Sequence, residues 1–81
     1  MESSQLAAVA ANTDDPRAGL RAVASLRVLA DTLELRQVEA GLRAGLTWQD
    51  IADALGVTRQ AAHKKHSKRV DPSVFSSRSP S

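Results

Sequence analysis

The amino-acid sequence predicts an all-α chain: a long N-terminal helix, then two short helices joined by a tight turn to complete a three-helix unit, with disordered termini. Three observations carry that expectation. No proline falls between Pro16 and Pro72, and apolar residues recur through residues 17–44 at helical spacing. Thr47 and Thr58 each stand where a helix would begin, with Gly56 between them where one would end. Neither end of the chain carries a convincing apolar face. The resulting divisions are a flexible arm over 1–13, a helical domain over 14–70 and a disordered tail over 71–81.

Bulk properties narrow the class. Eighty-one residues allow one small domain, near the lower limit at which a chain folds without disulfides, metals or a partner, so a partner is expected. There is no cysteine, which removes a disulfide framework, a cysteine zinc site and thiol chemistry together. Glu2 stands where a leader would be basic, and the apolar run over residues 6–11 is too short and alanine-rich for a signal peptide or a membrane span. A cytoplasmic protein is therefore expected. The net charge of +2 is unevenly spread: residues 58–70 hold Arg59, Lys64, Lys65, Lys68 and Arg69 and no acid, which leaves the rest of the chain net negative. A basic patch of this kind is the electrostatic footprint of a polyanion.

Taken in order, Asp14, Asp15 and Pro16 form a helix start, an acidic cap followed by a proline whose missing N–H costs nothing in the first turn. The helix predicted over 15–44 would be about 40 Å long, more than a three-helix unit needs to cover its core. Leu35, Val38 and Leu42 make one apolar stripe, suited to covering Ile51, Leu55 and Val57. Leu20, Val23, Leu26, Leu29 and Leu33 make a second stripe upstream that needs a partner of its own. Two readings stay open. An unbroken helix pairs that stripe with a second subunit in a twofold homodimer; alternatively, Asp31 caps a new helix, Glu34 completes its box, and residues 16–30 fold back as a four-helix monomer. Arg17, Arg21, Arg27, Arg36 and Arg43, interleaved with Asp31, Glu34 and Glu39, read as an exposed helical face.

The next helix, 48–55, opens with a reciprocal capping box between Thr47 and Asp50. Ile51, Ala52 and Leu55 give it one buried face, and Gly56 ends it in the left-handed conformation with Val57 as the apolar residue behind. Thr58 caps the last helix, 58–69, after so short a turn that the two must cross steeply.

Over this stretch, L-T-W-Q-D-I-A-D-A-L-G-V-T-R-Q-A-A-H-K-K, the chain resembles the DNA-binding helix-turn-helix. Ile51, Ala52, Leu55, Gly56 and Val57 stand where that family has its apolar, small, apolar, turn-glycine and apolar residues. The wording is most similar to the homeodomain-like type found in sigma-factor region 4 and to short actinobacterial DNA-binding proteins with a related Trp-x-x-Ile-Ala and Arg-Gln-Ala-x-His-Lys run. The likeness covers about a quarter of the chain, and departs from the pattern at Ala62 and Lys65, where the family often has branched apolar residues. It implies that the second short helix enters the major groove of double-stranded DNA.

With Ala62 taken as the inward direction, Gln60, Lys64 and Ser67 point outward at 100° per residue, His63 lies on a flank and Arg59 at the N-terminal shoulder. These five are the expected base-reading residues: glutamine pairs with adenine, and lysine or arginine with guanine O6 and N7. Lys65, Lys68 and Arg69, with Thr47, Trp48 and Thr58 at the two helix starts, are the expected phosphate contacts. Basic residues near a helix C-terminus are also favoured by the helix dipole alone. Trp48, though its N–H can reach a phosphate, is more readily a packing residue against the preceding helix, and the two roles are compatible. His63 and His66 are three apart, but with no third ligand nearby a shared metal is not expected; either, protonated beside a phosphate, would strengthen binding at lower pH. Arg78 in the tail is a weaker candidate contact.

Nothing in the chain suggests an enzyme, a cofactor or a small-molecule effector: there is no glycine-rich phosphate loop, paired carboxylate or nucleophile with a base. The expected function is double-stranded DNA binding as a transcriptional regulator or a nucleoid-associated protein. The alternative is an adaptor that docks RNA polymerase or another protein through the long helix.

Overall fold

The computed structural model describes residues 2–76, which are all-helical: α1 (Ser3–Ala11), α2 (Pro16–Arg43), α3 (Trp48–Leu55), α4 (Arg59–His66) and α5 (Ser73–Ser76), with no strand among them. No helix among the described residues is long and apolar enough to cross a membrane. The chain divides into two compact units between Leu33 and Glu34. The long helix is continuous through Asp31, so no new helix is capped there.

In the N-terminal unit, α1 replaces the flexible arm expected over 1–13. Leu6, Val9 and Ala10 are half-buried, a face at spacings of three and four that the alanine-rich composition concealed. Alanine is the strongest helix former, and the surface of α2 beside α1 includes the small residues Ala18, Gly19 and Ala22. The backbone oxygens of Asn12 and Val9 lie 3.5 and 3.7 Å from where a Cβ on Gly19 would stand, so α1 ends close against α2. Between them, the Asp14 N–H donates to Asn12 Oδ1 (2.9 Å), and the Ala18 N–H donates to Asp15 Oδ1 (3.2 Å) with Pro16 in the first helical position, as the sequence requires.

This packing revises the upstream stripe. Ala22 is buried within the unit and Val23, Leu26 and Leu29 are half-buried, so part of the surface expected to meet a second subunit is already taken; Leu20 and Leu33 stay exposed.

In the C-terminal unit, Val38 and Leu42 of α2, Ile51 and Ala52 of α3 and Ala62 of α4 form the core, closed by Val70 and Val74, with Leu35 and Trp48 packed against it. Two glycines shape its turns. Gly45 (φ +95°) follows α2 and Gly56 (φ +72°) follows α3. Each helix ends in the same paired hydrogen bonds, Leu46 N–H to Gly41 O with Gly45 N–H to Leu42 O, and Val57 N–H to Ala52 O with Gly56 N–H to Asp53 O, which satisfy carbonyls the helix leaves open.

Three expectations are corrected here. The last motif helix, expected over 58–69, ends at His66, because the chain turns so that Val70 enters the core; the Arg69 and Val70 N–H groups both donate to His66 O. The tail expected to be disordered from 71 is ordered through α5, with Val74 fully buried. Its low apolar content misleads, because one valine at the right place completes a core this small. Polar contacts hold it as well: the Asp71 N–H donates to Glu39 Oε2 (2.8 Å) and the Ser73 N–H to Asp71 Oδ1 (2.9 Å). Third, Leu55 and Val57 are not covered by Leu35, Val38 and Leu42; they remain 38% and 46% exposed, since Val70 and Val74 close the core in their place. Residues 77–81, and with them the candidate contact Arg78, lie outside the described residues.

Val74→Ala should therefore destabilise the protein by about 2 kcal/mol in urea unfolding, from two lost methyl groups and the cavity left behind. Phe75→Ala, at an exposed position, should change stability far less.

Candidate nucleic-acid interface

Local chemistry positions the two short helices. The Asp50 N–H donates to Thr47 Oγ1 (3.1 Å) and the Thr47 N–H donates to Asp50 Oδ2 (2.9 Å), closing the reciprocal box at the start of α3. Hydrogen bonds from the Thr47 backbone, then its side chain, hold the Asp50 carboxyl below its ordinary value. At the start of α4 the Ala61 N–H donates to Thr58 Oγ1 (3.1 Å). The threonines expected at phosphates are thus both cap acceptors, and both are exposed.

Ala62, the assumed inward direction of α4, is buried, so the opposite side faces out. Arg59, Gln60, His63 and Lys64 are exposed, Ser67 is half-buried just past the helix end, and Lys68 is exposed in the turn beyond. These six side chains fringe one open depression on the outer surface of α4. All five expected base-reading residues are among them, and so is Lys68. Trp48 packs against the core, and its ring stands edge-on to the His63 imidazole, with centroids 5.1 Å apart and planes at 75°. It is a packing residue that touches His63 and does not line the depression.

Two of the expected residues are placed differently. His66 has no exposed surface; its Nε2 lies 2.5 Å from Glu34 Oε2 on α2, and its buried Nδ1 has no hydrogen-bond partner among the described residues. It faces inward while His63 faces outward, so the two share neither a metal site nor a phosphate, and a pH response through His66 beside a phosphate is overturned. Lys65, expected on a phosphate, is half-exposed with Nζ 2.9 Å from the same Glu34 oxygen. The Lys65 hydrogen bond holds the Glu34 carboxyl below its ordinary value, assisted by His66 and opposed by partial burial. Arg69 is exposed in the turn after α4.

Glu34 is the residue the sequence missed. It lies 32 positions from His66, and its spacing to Asp31 marked it only as a possible cap or a member of a solvated face. No local pattern pairs the two. A histidine in the last turn of a helix whose inner face is otherwise alanine was the one available sign that it fills the core.

Apart from Glu34, the carboxylates of this unit have partners outside α4, Asp53 through the Gln49 amide. Glu39 and Asp71 bind the backbone of the C-terminal segment, and Asp50 caps α3; the Ser73 hydrogen bonds, first from its backbone and then its side chain, lower the Asp71 carboxyl, with Arg43 adding a smaller attraction. What remains outward on α4 is cationic and hydrogen-bonding, an arrangement suited to phosphates and base edges. Compared with protein-family models, curated proteins and solved structures, the chain matches none.

Because folding lowers the Asp50 carboxyl, its contribution to stability is present above the ordinary aspartate range and is lost as pH falls through the lowered value. The melting-temperature gap between wild type and Asp50→Ala should be widest above the ordinary aspartate range and narrow as pH falls below it. A gap independent of pH would show that the charge on Asp50 is irrelevant to the cap.

Proposed function

We propose that this protein binds double-stranded DNA through a helix-turn-helix formed by α3 and α4, with the outer face of α4 in the major groove, as a transcriptional regulator or a nucleoid-associated protein of the cytoplasm. It is read as a binding protein and not an enzyme. One observation carries the reading: a short helix, capped at its start and buried by Ala62 and His66, turns Arg59, Gln60, His63 and Lys64 outward around one depression, with Lys68 at its rim. The resemblance to sigma-factor region 4 supports it. In this reading Gln60, His63 and Lys64 read base edges, and Lys68 and Arg69 hold phosphates.

A homodimer through α2 draws on Leu20 and Leu33, which the folded chain leaves exposed. The adaptor reading, docking through the long helix, keeps an observation of its own, since Val28 of α2 also remains exposed.

Selection on a randomised duplex pool separates the two uses: a palindrome points to a dimeric regulator, and a very short motif to a many-site architectural protein. Retained DNA without enrichment means sequence-independent binding, and no retention favours the adaptor. Gln60→Ala or Lys64→Ala should shift preference at one base position by about 1–3 kcal/mol, whereas Lys68→Ala should weaken all sequences alike and flatten the salt dependence by about one contact. Unchanged preference in both base-face variants would refute the base-reading assignment. In sedimentation, Leu33→Asp should lower self-association; a wild-type chain that stays monomeric at high concentration rules the dimer out.

A further inference from the structure

Two aromatic rings meet where the core gives way to the outward face of α4. Trp48, the first residue of α3, is half-buried and packed against the core. His63 is exposed and stands with Arg59, Gln60, Lys64, Ser67 and Lys68 around the depression on α4. The two ring centroids are 5.1 Å apart and the planes cross at 75°, the edge-to-face arrangement that aromatic pairs prefer. An exposed side chain ordinarily has to be ordered when it engages a partner, and that ordering costs affinity. An imidazole already held against an anchored indole is ordered beforehand. The charged groups around it come from three places. α4 brings Arg59 and Lys64, the turn beyond it brings Lys68, and α3 carries Asp50 and Asp53, whose carboxylates accept from the Thr47 backbone and the Gln49 amide.

We infer that Trp48 is a positioning residue for DNA recognition: it fixes the His63 imidazole on the outward face of α4, so that a held ring, and not a freely turning one, donates to an acceptor on the duplex. The inference rests on the proposed DNA-binding function and deepens it, since it gives Trp48 a role without direct contact with DNA and makes His63 a proton-linked donor. A neutral imidazole has one N–H to donate, and an imidazolium has two together with a positive charge. Histidine changes its charge between about pH 5 and 8, so a contact from a held His63 to DNA strengthens on acidification. A ring free to turn gives back part of that gain in the cost of ordering it. His66 does not share this behaviour, because it is buried against Glu34 and has no surface to offer a duplex.

The test is titration of the full chain against a labelled mixed-sequence duplex at about pH 6 and about pH 8 and constant salt, for wild type, His63→Gln, Trp48→Leu and Trp48→Phe. The emission of the single tryptophan is followed over the same pH range without DNA. Wild type should bind about three- to tenfold more tightly at the lower pH. His63→Gln should remove most of that gain, Trp48→Leu should reduce it to about twofold or less, and Trp48→Phe, which restores a ring, should keep it. Without DNA, the tryptophan emission should change with pH in wild type and much less in His63→Gln. No gain in wild type, a gain kept in full by Trp48→Leu, or one emission profile shared by wild type and His63→Gln overturns the inference and leaves the DNA-binding reading standing. A wild-type chain that binds no duplex at either pH overturns both. Should Trp48→Leu fail to fold, the emission profiles and the His63→Gln titration decide, since His63 is exposed and outside the core.

Discussion

An eight-residue helix whose inner face offers an alanine and a histidine buries too little apolar surface to hold its own orientation. In α4 that deficit is met by two contacts made from outside the helix. Glu34 accepts from the buried His66 ring, and Val70 and Val74 join Ala62 in the buried core. A buried polar ring is costly unless it is hydrogen-bonded, so the Glu34 contact meets that need at Nε2, leaving Nδ1 without a partner among the described residues, and makes the ring's position specific. The outward display of Arg59, Gln60, His63 and Lys64 depends on that inward anchorage.

The C-terminal segment follows from the same constraint. Once α4 ends at His66, the chain turns and carries Val70 and Val74 beneath the core, and Glu39 and Asp71 secure its backbone. The acidic residues of this unit thus work in capping and anchoring, away from the outer surface of α4. The segregation of charge follows from where the helix ends need partners and does not require a separate explanation. Leu46, Leu55 and Val57 are left outside because the core is completed without them.

The N-terminal unit solves a smaller version of the problem with small residues. Ala18, Gly19 and Ala22 let α1 approach α2 closely, so three modest side chains, Leu6, Val9 and Ala10, suffice as a face. This hairpin was hidden in the sequence because alanine-rich polarity resembles an unstructured arm as much as a helix.

What the sequence by itself determined lies within a few residues of its own cause. Thr47 with Asp50, Thr58, Asp15 with Pro16, and the glycines at 45 and 56 set helix starts and stops through hydrogen bonds spanning five positions or fewer, and the 100° step from Ala62 placed the outward side chains of α4. Only the tertiary structure decided that His66 is core, that Glu34 engages Lys65, that α4 stops at His66, and that Val74 belongs to the fold. These depend on groups about thirty residues apart, such as Asp71 with Glu39 at a separation of 32. Such pairs leave no periodicity in the chain; they follow from which surfaces the folded helices bring together and which buried polar atoms then need a partner.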